Sequence, residues 1–153
     1  MLSQIIGELD AMLDANIRLF SKLRDESQAE ANSHKGAMES RHDTFKEEAQ
    51  YAVDNYNGKI SSAGKEKTLL AAAAAAGHDN NMFSLIVVSI GGTPRAMFMS
   101  PVLGGEKITI DGATVDIVTM SSPIGCELAH ASPGDEFVLN GKKFIVEKIT
   151  KMI

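Results

Sequence analysis

The chain has 153 residues and a formal net charge of −5, a length that fits one ordinary domain or two small ones. Residues 1–77 carry nine Lys/Arg against twelve Asp/Glu, and residues 78–153 carry six against eight, so neither half has the basic excess of a composition-driven nucleic-acid binder. The single cysteine, Cys126, rules out an internal disulfide and fits a reducing cytoplasm. No apolar run approaches the ~20 residues of a membrane span, and residues 1–8 lack the basic-then-apolar order of a secretion signal, so a cytoplasmic protein with no membrane partner is expected.

All four prolines (Pro94, Pro101, Pro123, Pro133) lie after residue 90, and the chain divides accordingly. In the first part, apolar residues recur at Ile5, Leu9, Met12, Leu19 and Leu23, with Asn16 at the missing step. Ile6, Leu13, Ile17 and Phe20 widen the stripe. Alternating steps of four and three predict a helix with a broad buried face. The stripe fades after Leu23, and Asn32-Ser33-His34-Lys35-Gly36 is the strongest local breaker. Periodicity resumes at Phe45 and continues through Ala49, Ala52, Tyr56, Ile60, Ala63, Lys67 and Leu70 to about Ala76, where Gly77-His78-Asp79-Asn80-Asn81 reads as a cap and linker. Neither helix can bury its stripe alone, so the pattern predicts an antiparallel coiled-coil hairpin over 1–77. At 1.5 Å per residue, ~35 residues give an arm of roughly 50 Å. A dimerising coiled coil is the alternative.

The turn of this hairpin is expected near residues 33–44, with Glu39, Arg41, His42, Asp43, Glu47 and Glu48 clustered there. Exposed carboxylates suit a hard cation such as Mg²⁺. A competing explanation is local: Thr44-Phe45-Lys46-Glu47 matches a capping box, in which the Thr hydroxyl and the Glu three residues on satisfy free N–H groups. His34, His42 and Asp43 match no recognised zinc spacing.

From residue 82 the pattern changes to short apolar runs. Residues 83–90 read as a buried strand ended by Gly91-Gly92, and residues 95–99 as a second strand. Asp111-Gly112 and Asn140-Gly141 each sit between alternating runs, the signature of a two-residue hairpin turn. Ser122 and Pro123 suit the N-cap and first position of a short helix. Five or six strands plus one short helix predict a small antiparallel α+β domain over 82–153, with the helix on one face. Catalytic signals are sparse. Cys126 and His130 fall one helical turn apart, but no third group is placed to orient them. A lone cysteine is more often a small core residue.

Three blocks permit a comparison with a known family: Ser122-Pro123-Ile124-Gly125, Pro133-Gly134-Asp135-Glu136, and residues 141–149 (GKKFIVEKI). They resemble the C-terminal signature of the GreA/GreB transcript-elongation factors. Lys46-Glu47-Glu48-Ala49-Gln50-Tyr51 is similar to that family's segment after the hairpin tip. The resemblance implies an N-terminal coiled-coil hairpin and an FKBP-like C-terminal domain. It further implies RNA polymerase as the partner, docked through residues such as Ser122, Pro123, Ile124, Gly125 and Asp135. The hairpin would enter the secondary channel near the RNA transcript. Asp43 and Glu47 would there act on a Mg²⁺ ion shared with the polymerase, promoting cleavage of backtracked RNA in the polymerase's own active centre. The factor would be a monomer, with no cofactor of its own and no enzymatic activity alone. This sequence departs from the family pattern at the tip. The family places its Glu three residues after its Asp, whereas Asp43 and Glu47 are four apart. A channel-binding regulator without cleavage activity therefore stands beside the cleavage factor. An FKBP-like peptidyl-prolyl isomerase is a third reading, opposed by the scarcity of aromatic residues.

Overall fold

The computed structural model describes residues 2–33, 39–72 and 80–151; within these, the side chains of 31, 33 and 39–46 are not described. The chain divides into two compact units, Ala11–Lys67 and Met1–Asp10 with Thr68–Ile153. Two long helices occupy the first part, α1 (Leu2–Ser33) and α2 (Glu39–Ala71). The short elements follow: β1 (Leu85–Ile90), β2 (Thr93–Met99), β3 (Lys107–Ile110), β4 (Ala113–Val118), α3 (Pro123–Leu128), β5 (Glu136–Leu139) and β6 (Lys142–Thr150). The expected linker at 77–81 lies outside the described residues apart from Asn80 and Asn81.

Within Ala11–Lys67 the two helices run antiparallel. Asp14 pairs with Lys67, Phe20 stacks on Tyr56 with centroids 6.3 Å apart, and Arg24 donates to Asn57 at 3.3 Å. The Lys59 ammonium lies 5.3 Å from the Phe20 ring centroid, adding a cation–π contact. The seam differs in register from the sequence expectation. Ile5, Leu9 and Leu13 are buried, but Leu19 is 51% exposed and the seam passes instead through half-buried Phe20. Steps of four drift slowly around a helix of 3.6 residues per turn. The 5-9-13 run therefore leads toward 16, 17 and 20 rather than 19. On α2, Ala49, Val53 and Ala63 are buried in this unit. The helix also continues past the fading of the stripe, since α1 extends through its polar last turns to Ser33.

The six strands form one sheet in the order β3-β4-β2-β1-β6-β5. Pairing is antiparallel except between β2 and β4, which run parallel. The sheet is thus dominated by antiparallel pairing, in keeping with the small antiparallel α+β domain expected, and the β2–β4 pair is a parallel exception that the sequence pattern did not foretell. The excursion through residues 100–112, including β3, returns the chain so that β4 enters beside β2 in the same direction. Three turns behave as their sequences require. Gly91-Gly92, Asp111-Gly112 and Asn140-Gly141 all have positive φ at both central positions, the conformation a tight hairpin needs to match strand twist. A bulge interrupts the β1–β6 register at Val87/Val88.

Alternation separates the two faces. Ile86, Val88, Met97, Met99, Val118, Phe144 and Val146 form one buried cluster with Leu128 and Ala129 at the end of α3. The short helix thus covers one face, as expected. Phe98, Val115 and Ile117 turn to the opposite face and are also buried.

Candidate functional site

The family-like blocks of the C-terminal part cluster around α3. Ser122 is the N-cap, with extended backbone (φ −84°, ψ 153°). Its Oγ accepts from the Gly125 N–H at 3.0 Å and donates to the Thr119 carbonyl at 2.8 Å. Pro123 occupies the first helical position, where a missing N–H costs nothing. Gly125 is dictated by close approach: a Cβ there would fall 1.7 Å from the Thr119 carbonyl oxygen. Ser122 and Gly125 are therefore committed to the turn itself. Pro123 is exposed and Ile124 half-buried, so these two present side chains to the surface.

The Pro133-Gly134 block closes a tight turn. The Asp135 N–H donates to the Ser132 carbonyl at 3.0 Å, and Gly134 supplies φ +95°. The Asp135 carboxylate accepts from the Ser132 N–H at 2.8 Å, yet the residue remains exposed. The Gly134 N–H and Asp135 carbonyl then bond to Val146 at 2.7 and 2.8 Å, which joins this turn to β6. Beside it lies a recess of about 390 Å³ lined by Cys126, Glu127, His130, Ala131, Asp135, Glu136 and Phe137. Cys126 and His130 are both exposed there. Among the described residues no group of three or more His, Cys, Asp or Glu is placed to hold a metal ion.

Asp43 and Glu47 belong to the other unit. Both lie within α2, which begins at Glu39. Thr44 is thus inside the helix and is not its N-cap, so the capping-box reading of Thr44 and Glu47 is overturned. The helix starts nearly two turns earlier than the box requires, and an interior residue has its N–H taken by the backbone ladder. Glu47 is exposed. His34 and the side chain of His42 lie outside what is described.

Sequence reasoning missed two polar arrangements. Asn81 is 4% exposed, and its amide donates to the carbonyls of Leu128 at 2.6 Å and Ala131 at 2.8 Å. It thereby adds a donor to the Leu128 carbonyl, which also accepts from the Ala131 N–H at 3.3 Å, and supplies one to the Ala131 carbonyl just after α3, where a helix end leaves carbonyls without helical partners. The polar string Asp79-Asn80-Asn81 resembled a plain linker, and only contacts nearly 50 residues away reveal the difference. Asp116, whose Oδ1 has no hydrogen-bond partner, meets Arg95 at 2.7 Å and Lys107 at 3.9 Å. Cross-strand register brings these three together.

No protein-family model and no curated protein sequence matches the chain. Among solved structures it is similar to the crystal structure of GreA factor homolog 1 (Gfh1) protein of Thermus thermophilus. The identity is 15%, covering 92% of this chain and 94% of that one, with a TM-score of 0.37. No helix among the described residues is long and apolar enough to cross a membrane.

Proposed function

We propose that the chain is a Gre-type transcription factor. It binds bacterial RNA polymerase through the surface carrying Pro123, Ile124 and Asp135, and its helical hairpin enters the secondary channel near the RNA transcript. The observation that carries this reading is the convergence of the family-like sequence blocks on one place. Residues 122–125 open α3, residues 133–136 make the adjoining turn, and the turn is bonded to β6, which holds most of the third block. Two long antiparallel helices precede them.

The acids of α2 fit a supporting role in the polymerase's active centre. Four residues of helix put Asp43 and Glu47 about 6 Å apart along the axis and roughly 40° apart around it, on one side of the helix. Two carboxylates are the right donors for Mg²⁺ but too few to hold it alone, so the polymerase would supply the remaining ligands. The ion would stabilise developing charge during phosphodiester cleavage. With the capping box excluded, Glu47 has no N-terminal capping duty to compete with that role.

The test has two stages. Purified protein is expected to bind core RNA polymerase at micromolar concentration, and failure to bind defeats the proposal. In a backtracked elongation complex, wild type is expected to accelerate transcript cleavage. Asp43→Ala and Glu47→Ala are each expected to reduce that acceleration by about tenfold or more, with binding retained. Binding without any acceleration would assign the protein to channel occupancy alone.

A further inference from the structure

Among the described residues, the outer edge of β6 is only partly covered. β5 pairs with residues 142–145, and Gly134 and Asp135 extend the bonding to Val146. Beyond that, Lys148, Ile149 and Thr150 pair with β1 on the inner side through Val87, Ile86 and Leu85. β5 is the last strand of the sheet on this side. No backbone hydrogen bond among the described residues joins 131–133 to 148–150. In an antiparallel ladder alternate residues direct N–H and C=O away from the partner, so this stretch turns pairing groups outward that no described residue takes up.

That open edge borders a recess of about 580 Å³ lined by Asn81, Ala131, Ser132, Pro133 and residues 148–151, within the size range of ligand sites. Its floor is fixed, because Asn81 is buried and bonded at both amide hydrogens. Lys148 and Lys151 flank it, both exposed, and neither forms an ion pair with another described residue. Lysines on an edge normally keep a second copy of the same edge away. The same charges admit a strand of opposite sign, which is how repulsion and attraction together set specificity.

We propose that the β6 edge over residues 147–150, with Lys151 just beyond it, binds an extended acidic peptide segment of a partner protein by strand addition. The partner's backbone would continue the sheet outward from β6, and its carboxylates would meet Lys148 and Lys151. Strand addition draws affinity from main-chain bonds and selectivity from flanking side chains. This inference does not depend on the polymerase reading, and its test uses no polymerase.

The probe is a fluorescein-labelled pentapeptide, Glu-Glu-Val-Glu-Glu, which presents carboxylates on both faces of an added strand because side chains alternate; the peptide with Lys in place of Glu is the control. Wild type is expected to bind the acidic peptide in an anisotropy titration and not the basic one. Amide hydrogen exchange within 147–150 is expected to slow on binding. Lys148→Glu combined with Lys151→Glu, both at exposed positions, should weaken the acidic peptide by about tenfold or more and admit the basic one. Circular dichroism checks that this variant remains folded. Absence of binding up to about 1 mM, a level of negligible affinity, overturns the proposal. So does binding that leaves those amides unprotected and is displaced equally by an oligouridylate, which would make the recess a simple anion patch.

Discussion

The two units are held together by different means. In Ala11–Lys67, no described residue of α1 beyond Leu13 is buried, and two of the three buried α2 residues are alanine. Two helices alone offer each other one face, so Phe20, Tyr56 and Ile60 remain half-buried. Much of the order in this unit rests on the helices' own backbone bonds and on surface pairs. In the sheet unit both faces of the central strands are buried, and turns are fixed by close approach and by hydrogen bonds between residues distant in sequence. A long element with a thin core tolerates surface change, whereas a small domain with committed turns does not.

Substitutions should expose that contrast. Gly125→Ala is expected to have the largest effect, since its Cβ would overlap the Thr119 carbonyl. A loss of about 3 kcal/mol or more is expected by denaturant titration, and a neutral result would mean that the turn at α3 is not built as described. Asn81→Ala removes both amide donors to the carbonyls of Leu128 and Ala131. The Leu128 carbonyl keeps the Ala131 N–H at 3.3 Å and the Ala131 carbonyl loses its Asn81 donor, so the change should cost about 1–3 kcal/mol and speed amide exchange around α3.

In the helical unit, Leu13→Ala empties the one fully buried large side chain among its described residues and should cost about 2–3 kcal/mol, at the low end for a leucine because an open seam can relax. A larger loss would show that the thin core carries more of the stability than its burial suggests. Gly58 lies inside α2 with open space where a Cβ would stand. Gly58→Ala should therefore stabilise by about 0.5–1 kcal/mol through helix propensity, read as a rise in thermal midpoint. The smallest change is expected from Lys67→Ala, which deletes the partly exposed pair with Asp14. Its cost should stay below about 1 kcal/mol and shrink with added salt.

The candidate site was unevenly legible. Ser122 and Pro123 were readable as cap and first helical residue because capping is local chemistry, and α3 forms as expected. The meaning of Gly125 was hidden, because its neighbour is a carbonyl brought back by the loop from Thr119. Thr44-Phe45-Lys46-Glu47 misled because a capping box resembles any Thr followed by Glu, and the helix begins at Glu39 instead. The open β6 edge was not legible at all, since it depends on how far β5 pairs along its neighbour.

The sequence by itself determined the division of labour: proline-free periodic stretches became two long helices, and alternating runs with Asp-Gly and Asn-Gly turns became strands. These features follow from backbone preferences and burial periods that operate within a few residues. Tertiary structure alone decided the parallel pairing of β2 with β4, the buried role of Asn81, the meeting of Arg95, Lys107 and Asp116, and the uncovered end of β6. Each depends on residues separated by a loop or more, where strand order and register, not local propensity, bring groups together.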